Sequence, residues 1–249
     1  MDRQTISALA HGDHPIAAPL SDDSVGRLLE RALPHGEARL LDLGCGSGEW
    51  LLRALAGRPE LRADGVDLAA AALDRARAAA EWDGIGDRLT LHHQDATEFT
   101  ASGPYDLVLS VGAAHVWGGL LPTLRTARSH LAPGGSVLVG DGFWEREPDR
   151  ATLDAGFAPD EYADLPTTVD RITADGWRPV YGHVSTPEEW DDYEWSWTGT
   201  LTRWALDHLD DPGHDDALEA AAAHREAWLR GYRGTLGFVT LVLRRAGDT

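Results

Sequence analysis

The chain has 249 residues, 43% of them apolar and 25% charged, with a formal net charge of −19. That length and composition suit one large α/β domain, while the acidic balance, with no basic stripe, opposes binding to DNA or RNA, where Lys and Arg must neutralise phosphates. One cysteine, Cys45, permits no internal disulfide, Met1 to Thr5 do not read as a signal peptide, and no apolar run is long enough to span a bilayer. The expected setting is cytoplasmic and the expected partners are small molecules.

Residues 1–36 precede the first strand. His11 to Leu20 is irregular, and Val25, Leu28, Leu29 and Ala32 then recur at helical spacing. The most informative stretch follows: Leu40-Leu41-Asp42-Leu43-Gly44-Cys45-Gly46-Ser47-Gly48-Glu49, with helix-compatible Trp50 to Leu55 behind it. It reads as a strand, a tight glycine loop and a helix start, a cradle for a nucleotide-like ligand. The glycines allow a sharp turn and a close approach by the ligand. Glu49 stands where a dinucleotide fingerprint has its third glycine, which disfavours a NAD-linked oxidoreductase.

Arg62 to Val66 reads as a second strand with Asp67 at its tip, where a carboxylate can accept both hydroxyl protons of a ribose. Leu89 to His93 is a third strand, running into Gln94-Asp95-Ala96, and Tyr105 to Val111 is a fourth, containing Ser110. A helix from Leu120 to about Leu131 stops at Ala132-Pro133-Gly134-Gly135, before a fifth strand, Ser136 to Gly140. Taken in order, these motifs resemble those of the class I S-adenosylmethionine-dependent methyltransferases.

That resemblance implies a Rossmann-like, doubly wound α/β sheet of seven strands with the last antiparallel, and S-adenosylmethionine as cofactor. It implies cofactor contacts from Asp42, Gly44, Cys45, Gly46, Gly48, Asp67, Leu68, Asp95, Ala96 and Ser110. Asp67 would bind the ribose, Leu68 would pack on adenine, and Asp95 would bond its amino group. Alone, Asp95 reads equally as the cap of a short turn, while Asp67 could cap a helix but favours the ligand. In the resembling fold the segment ahead of the first strand often forms a lid, so His11 and His14 either line the pocket or belong to a surface arm.

After residue 142 the alternating pattern changes. Trp177 to Val184 is a plausible sixth strand and Phe238 to Leu243 a seventh, and the stretch between them exceeds what a hairpin needs. It reads as a helical insertion. Thr186-Pro187-Glu188-Glu189 has the form of a capping box, and a second helix is expected from Asp211-Pro212 to about Arg230. The organisation expected is one domain, with a lid segment (1–36), a cofactor-binding core (37–142), a substrate-side region (143–236) and a last strand (237–249).

Of ten tryptophans, Trp190, Trp195, Trp197 and Trp204 crowd together among acids. Trp190, Tyr193, Trp197, Leu201 and Trp204 share one helical face, with Glu194 beside it. This is either an aromatic stripe packed on the core, or a pocket suited to an amine-bearing or cationic acceptor.

The cofactor's methyl is already activated, so the protein must hold a nucleophile in line with it and, for a protonated acceptor, supply a base. Ligands sit at the carboxyl ends of strands in open sheets, which makes His115, just after the fourth strand, the first candidate. Asp141 and His14 follow as catalytic candidates, and Trp144, Trp190, Glu194 and Trp197 as substrate contacts. No metal site is expected. The function expected is methyl transfer to an O, N or C nucleophile of a small molecule, and the alternative is a protein that binds the cofactor without catalysis.

Overall fold

The computed structural model describes residues 1–245, apart from the side chain of Gln4. Seven strands form one sheet: β1 (Ala38–Leu43), β2 (Leu61–Asp67), β3 (Leu89–His93), β4 (Tyr105–Val111), β5 (Leu131–Trp144), β6 (Trp177–Val184) and β7 (Leu236–Arg245). The helices are α1 (Arg3–Ala10), α2 (Asp22–Ala32), α3 (Glu49–Leu55), α4 (Ala70–Trp82), α5 (Leu120–His130), α6 (Arg150–Asp154), α7 (Leu165–Ala174), α8 (Pro187–Asp207) and α9 (His214–Glu226). The described residues form two compact units, one of residues 21–141, 166–184 and 239–245, the other of 1–20, 142–165 and 185–238.

The first unit carries most of the sheet. Strand order is β3-β2-β1-β4-β5-β7-β6. β1 pairs in parallel with β2 on one side and β4 on the other, so the order reverses between β1 and β4. The carboxyl ends flanking such a reversal are where open α/β sheets bind ligands. Both faces of a parallel sheet are covered by crossover helices, and the strands are accordingly apolar throughout. Leu40, Leu41, Leu43, Leu107, Val108, Leu109, Val137 and Leu138 are fully buried. β6 and β7 pair antiparallel, the expected ending.

β5 begins earlier than its apolar run suggests. Leu131 already pairs with Tyr105, and the register resumes at Ser136 opposite Leu107. Ala132 to Gly135 form the bulge between these pairs, and the positive φ of Gly134 (77°) makes the irregularity possible.

The second unit is mainly helical. α8 begins as its sequence predicts: the Thr186 side chain accepts from Glu189 N–H, the Glu189 carboxylate accepts from Thr186 N–H, and Pro187 opens the helix. Its aromatic stripe packs inward, with Trp197 and Trp204 against a buried cluster of Ala10, Leu201, Ala205, Ala217 and Ala221. α9 starts later than expected, at His214, because Asp211 Oδ1 accepts from Gly213 N–H at 2.7 Å and forms a side-chain turn first. It also ends earlier, passing into a π-helical turn over Ala227–Tyr232. α1, α6 and α7 carry no strong sequence signal and are additions to the expected elements.

Thr186→Ala removes half of the capping box and is expected to destabilise the protein by about 1 kcal/mol in urea denaturation. An unchanged midpoint would show that the box contributes nothing.

Candidate active site

The glycine loop opens where β1 ends. Gly44 N–H and Cys45 N–H donate to the Val66 carbonyl at 2.9 and 3.0 Å, and Gly48 N–H donates to the Cys45 carbonyl at 2.8 Å. At Gly44 the backbone has φ 84°, and a Cβ would come within 2.8 Å of the Ala113 Cβ. A side chain is excluded there by both strain and space. At Gly46 (φ 52°) a Cβ would meet nothing within 4 Å, so the middle of the loop faces open space.

Two acids lie against this loop. Asp67 Oδ2 accepts from Gly46 N–H at 2.8 Å, while Oδ1 accepts from Ala69 N–H at 2.8 Å. Its carboxylate therefore links the tip of β2 to the loop after β1. Asp42 is 2% exposed, and its Oδ2 has no hydrogen-bond partner. Burial, and then the charge of Asp67, push its carboxyl up from 3.8 to about 7. Cys45 is buried against β2, where burial and the same two acids push its thiol far up, so it is a filler and no nucleophile.

The other predicted cofactor residues divide. Leu68 follows Asp67 and is 60% exposed, as a surface for a flat ring would be. Asp95 holds a turn, accepting from Thr97 N–H at 2.8 Å and Thr97 Oγ1 at 2.7 Å, and these bonds lower its pKa. Ala96 beside it is buried. Ser110 Oγ donates to the Leu43 carbonyl at 3.1 Å, fully buried between β4 and β1, so its visible role is to join strands.

Of the catalytic and substrate candidates, His115 and Asp141 belong to the sheet unit. His115 is exposed in a 3₁₀ turn, Ala114–Trp117, after β4, and Asp141 lies within β5, toward its carboxyl end. His14, Trp144, Trp190, Glu194 and Trp197 belong to the helical unit. His14 Nδ1 lies 2.7 Å from the Ile16 carbonyl, and its ring meets Tyr193 edge-on at 5.3 Å. Trp144 is buried edge-on to Phe157 and Tyr162. Glu194 is 2% exposed and accepts from Tyr232 Oη and from His224 Nε2, both at 2.7 Å. Trp197 stacks on His224 with ring centroids 3.9 Å apart, which makes it a packing residue.

Trp190 is the one that faces a cavity, of about 330 Å³, whose walls also include Ser185, Trp228, Tyr232, Arg146 and Arg233. Sequence reasoning missed these five. Trp228 and Tyr232 fall on the π-helical turn, where helical spacing no longer reports which side chains share a face. Ser185 was hidden by the stronger capping signal of Thr186. Among the described residues no cluster of three or more His, Cys, Asp or Glu is placed to hold a metal ion.

An open, mostly parallel sheet with a glycine loop at its reversal point and an acid at the next strand tip defines a nucleotide-cofactor-binding α/β protein. The loop fits a cofactor that carries positive charge: Gly46 is open, and the buried, unpartnered Asp42 Oδ2 lies within reach of a cation's field. Comparison with known proteins gives the family. A methyltransferase domain matches residues 40–135. Trans-aconitate 2-methyltransferase of Streptomyces avermitilis is 32% identical over 91% of this chain and 88% of its own length. The uncharacterized protein YjhP of Escherichia coli is 29% identical over 89% of each chain. The structure of a SAM-dependent methyltransferase from Thiobacillus denitrificans, in complex with S-adenosyl-L-homocysteine, superposes with a TM-score of 0.88 at 26% identity, covering 99% of this chain and 100% of the other. The chain belongs to the S-adenosylmethionine-dependent methyltransferases. It is an enzyme that uses S-adenosylmethionine to transfer a methyl group, which sets aside both the oxidoreductase and the non-catalytic reading.

The raised Asp42 carboxyl has a consequence for stability. The folded protein holds this proton more tightly than the unfolded chain, so the group's contribution worsens as pH rises from about 4 to about 7 and is constant above. Without ligand, Asp42→Asn is expected to match wild type near pH 4 and to exceed it by a few kcal/mol at pH 8, read by urea denaturation. Parallel pH profiles for the two proteins would contradict a raised Asp42.

Proposed function

We propose that this methyltransferase acts on a small-molecule acceptor in the cytoplasm. The observation that carries this reading is the cavity of about 330 Å³ in the helical unit, a size that suits a metabolite. The net charge of −19 opposes a polyanionic substrate. The Streptomyces relatives, named for transfer to trans-aconitate, support a small acceptor as well. Among the described residues no helix is long and apolar enough to cross a membrane.

S-adenosylmethionine, when bound, supplies a methyl group on a sulfonium that needs no further activation. The remaining work is binding, orientation and proton handling. On this reading Gly44, Gly46 and Gly48 keep the loop clear of side chains, Asp67 fixes its position and offers its remaining lone pairs to hydroxyls, and Asp42 supplies negative charge. Leu68 offers an apolar surface, and Asp95 and Ala96 close the rim after β3. His115 is the group we assign to accept a proton when the acceptor is a hydroxyl or an ammonium, because it is exposed just beyond β4. Asp141 and His14 are the second assignments. Trp144 and Trp190 are assigned to the acceptor side, and Glu194 and Trp197 to holding its walls.

Calorimetric titration with S-adenosyl-L-homocysteine tests the cofactor residues. Wild type is expected to bind in the micromolar range, and Gly46→Val and Asp67→Ala to lose at least roughly tenfold while keeping their far-UV circular dichroism. Undiminished binding by both variants would overturn the assignment. For the acceptor, S-adenosyl-L-homocysteine release is expected with some member of a panel of small acids, phenols and amines. Release only with nucleic acid or protein would refute a small-molecule acceptor.

A further inference from the structure

A second cleft opens in the sheet unit, at the other end of the strands from the glycine loop. It has a volume of about 450 Å³ and is walled by the end of α2, the starts of β4 and β5, the middle of β6 and the end of β7. Asp106 and Ser136 in its wall lie near the amino ends of β4 and β5, whereas the glycine loop follows the carboxyl end of β1. Ser110, bonded to the Leu43 carbonyl beside that loop, lies roughly 13 Å along β4 from Asp106.

Two guanidiniums line this cleft. Arg31, in the last turn of α2, holds its guanidinium carbon 5.4 Å from the centroid of the Tyr181 ring. Arg244 Nη2 donates to the Gly134 carbonyl at 2.9 Å, in the bulge that opens β5. Among the described residues neither makes an ion pair, in a chain where 41 acids outnumber 22 bases. The acid in the wall is Asp106, whose Oδ2 accepts from Arg39 N–H at 2.9 Å. Two guanidiniums and one carboxylate leave the wall with a net positive charge. An arginine has five N–H donors and accepts nothing. Arg244 uses one on Gly134, and Arg31 rests on a ring. The remaining donors point to a ligand that brings acceptors and negative charge. Beside them the wall is apolar, with Val180 53% exposed and Pro133 and the Tyr181 ring nearby.

We propose that this cleft is a second ligand site, which binds a small organic oxyanion, a carboxylate or phosphate monoester on an apolar body, through Arg31 and Arg244. The planar guanidinium fork matches either head group with two parallel, charge-assisted bonds. Val180, Pro133 and Tyr181 receive the apolar body, and the volume suits a molecule of metabolite size. A neutral amide forms no charge-assisted bond with the pair, and an amine is repelled by both. The site shares no residue with the glycine loop or with the cavity of the helical unit, so it does not depend on which acceptor the enzyme methylates.

The test titrates the full-length, ¹⁵N-labelled protein with benzoate, phenyl phosphate, benzamide and benzylamine at constant ionic strength, with S-adenosyl-L-homocysteine present throughout. Benzoate or phenyl phosphate is expected to move the amide resonances of Gly134, Gly135 and Ser136, and the tighter of the two identifies the head group. Benzamide and benzylamine are expected to leave those resonances in place. Arg31→Gln, at an exposed position that leaves the Arg244 bond to Gly134 intact, is expected to weaken anion binding roughly tenfold, and so is Arg244→Gln. Both variants are expected to bind S-adenosyl-L-homocysteine as wild type does, which shows that they fold. Benzamide that moves the resonances as far as benzoate and phenyl phosphate do, anions that move none of them, or anion binding undiminished in Arg31→Gln overturns the proposal.

Discussion

The Asp67 carboxylate ties the tip of β2 to the loop that follows β1, one oxygen on Gly46 N–H and the other on Ala69 N–H. A glycine-rich loop has many conformations to lose, and this acceptor fixes its middle, at Gly46, which its other backbone bonds leave free. With it, the Val66 carbonyl receives Gly44 and Cys45, the thiol of Cys45 fills the space over β2, and Asp42 is sealed beneath. The geometry has an electrostatic penalty, because two carboxylates share one low-dielectric site. Burial and Asp67 together leave Asp42 near neutrality in its proton equilibrium. On the proposed assignment of the cofactor site, a cationic cofactor would relieve this strain, so the site's instability and its affinity would be two aspects of the same arrangement.

The helical unit is organised around a second buried acid. Glu194 gives one oxygen to Tyr232 and the other to His224, joining α8 to the end of α9 and its π-helical turn. Trp197 covers His224, and Trp190 and Phe157 pack edge-on to Tyr232. These contacts hold one wall of the cavity in place.

The sheet was legible because each strand end carries its own chemical signature. An apolar run ending in Asp42 and glycines, another ending in Asp67, and Pro133-Gly134-Gly135 before a further run mark the strand ends, and their resemblance to a known family supplied the architecture. The N-terminus of α8 was equally plain, since Thr186, Pro187 and Glu189 satisfy local backbone groups. What the sequence hid depends on partners distant in the chain. Glu194 reads as a carboxylate available to a ligand until Tyr232 and His224 are seen against it, and Trp197 reads as a pocket wall until it is found packed on an alanine-rich core. The late start of α9 turned on a single Asp211 side chain, and the cavity's Trp228 and Tyr232 lie where helical periodicity breaks.

The central claim is that Asp42, buried beside the glycine loop with its carboxyl pushed up to about 7, is part of the cofactor site. The most direct measurement is calorimetric titration of S-adenosylmethionine at about pH 6.5 in two buffers of different ionisation enthalpy. Binding is expected to release protons, as positive charge at the loop draws Asp42 toward its ionised form, and Asp42→Asn is expected to abolish that release. Binding with no proton exchange, or the same exchange in Asp42→Asn, would contradict the account.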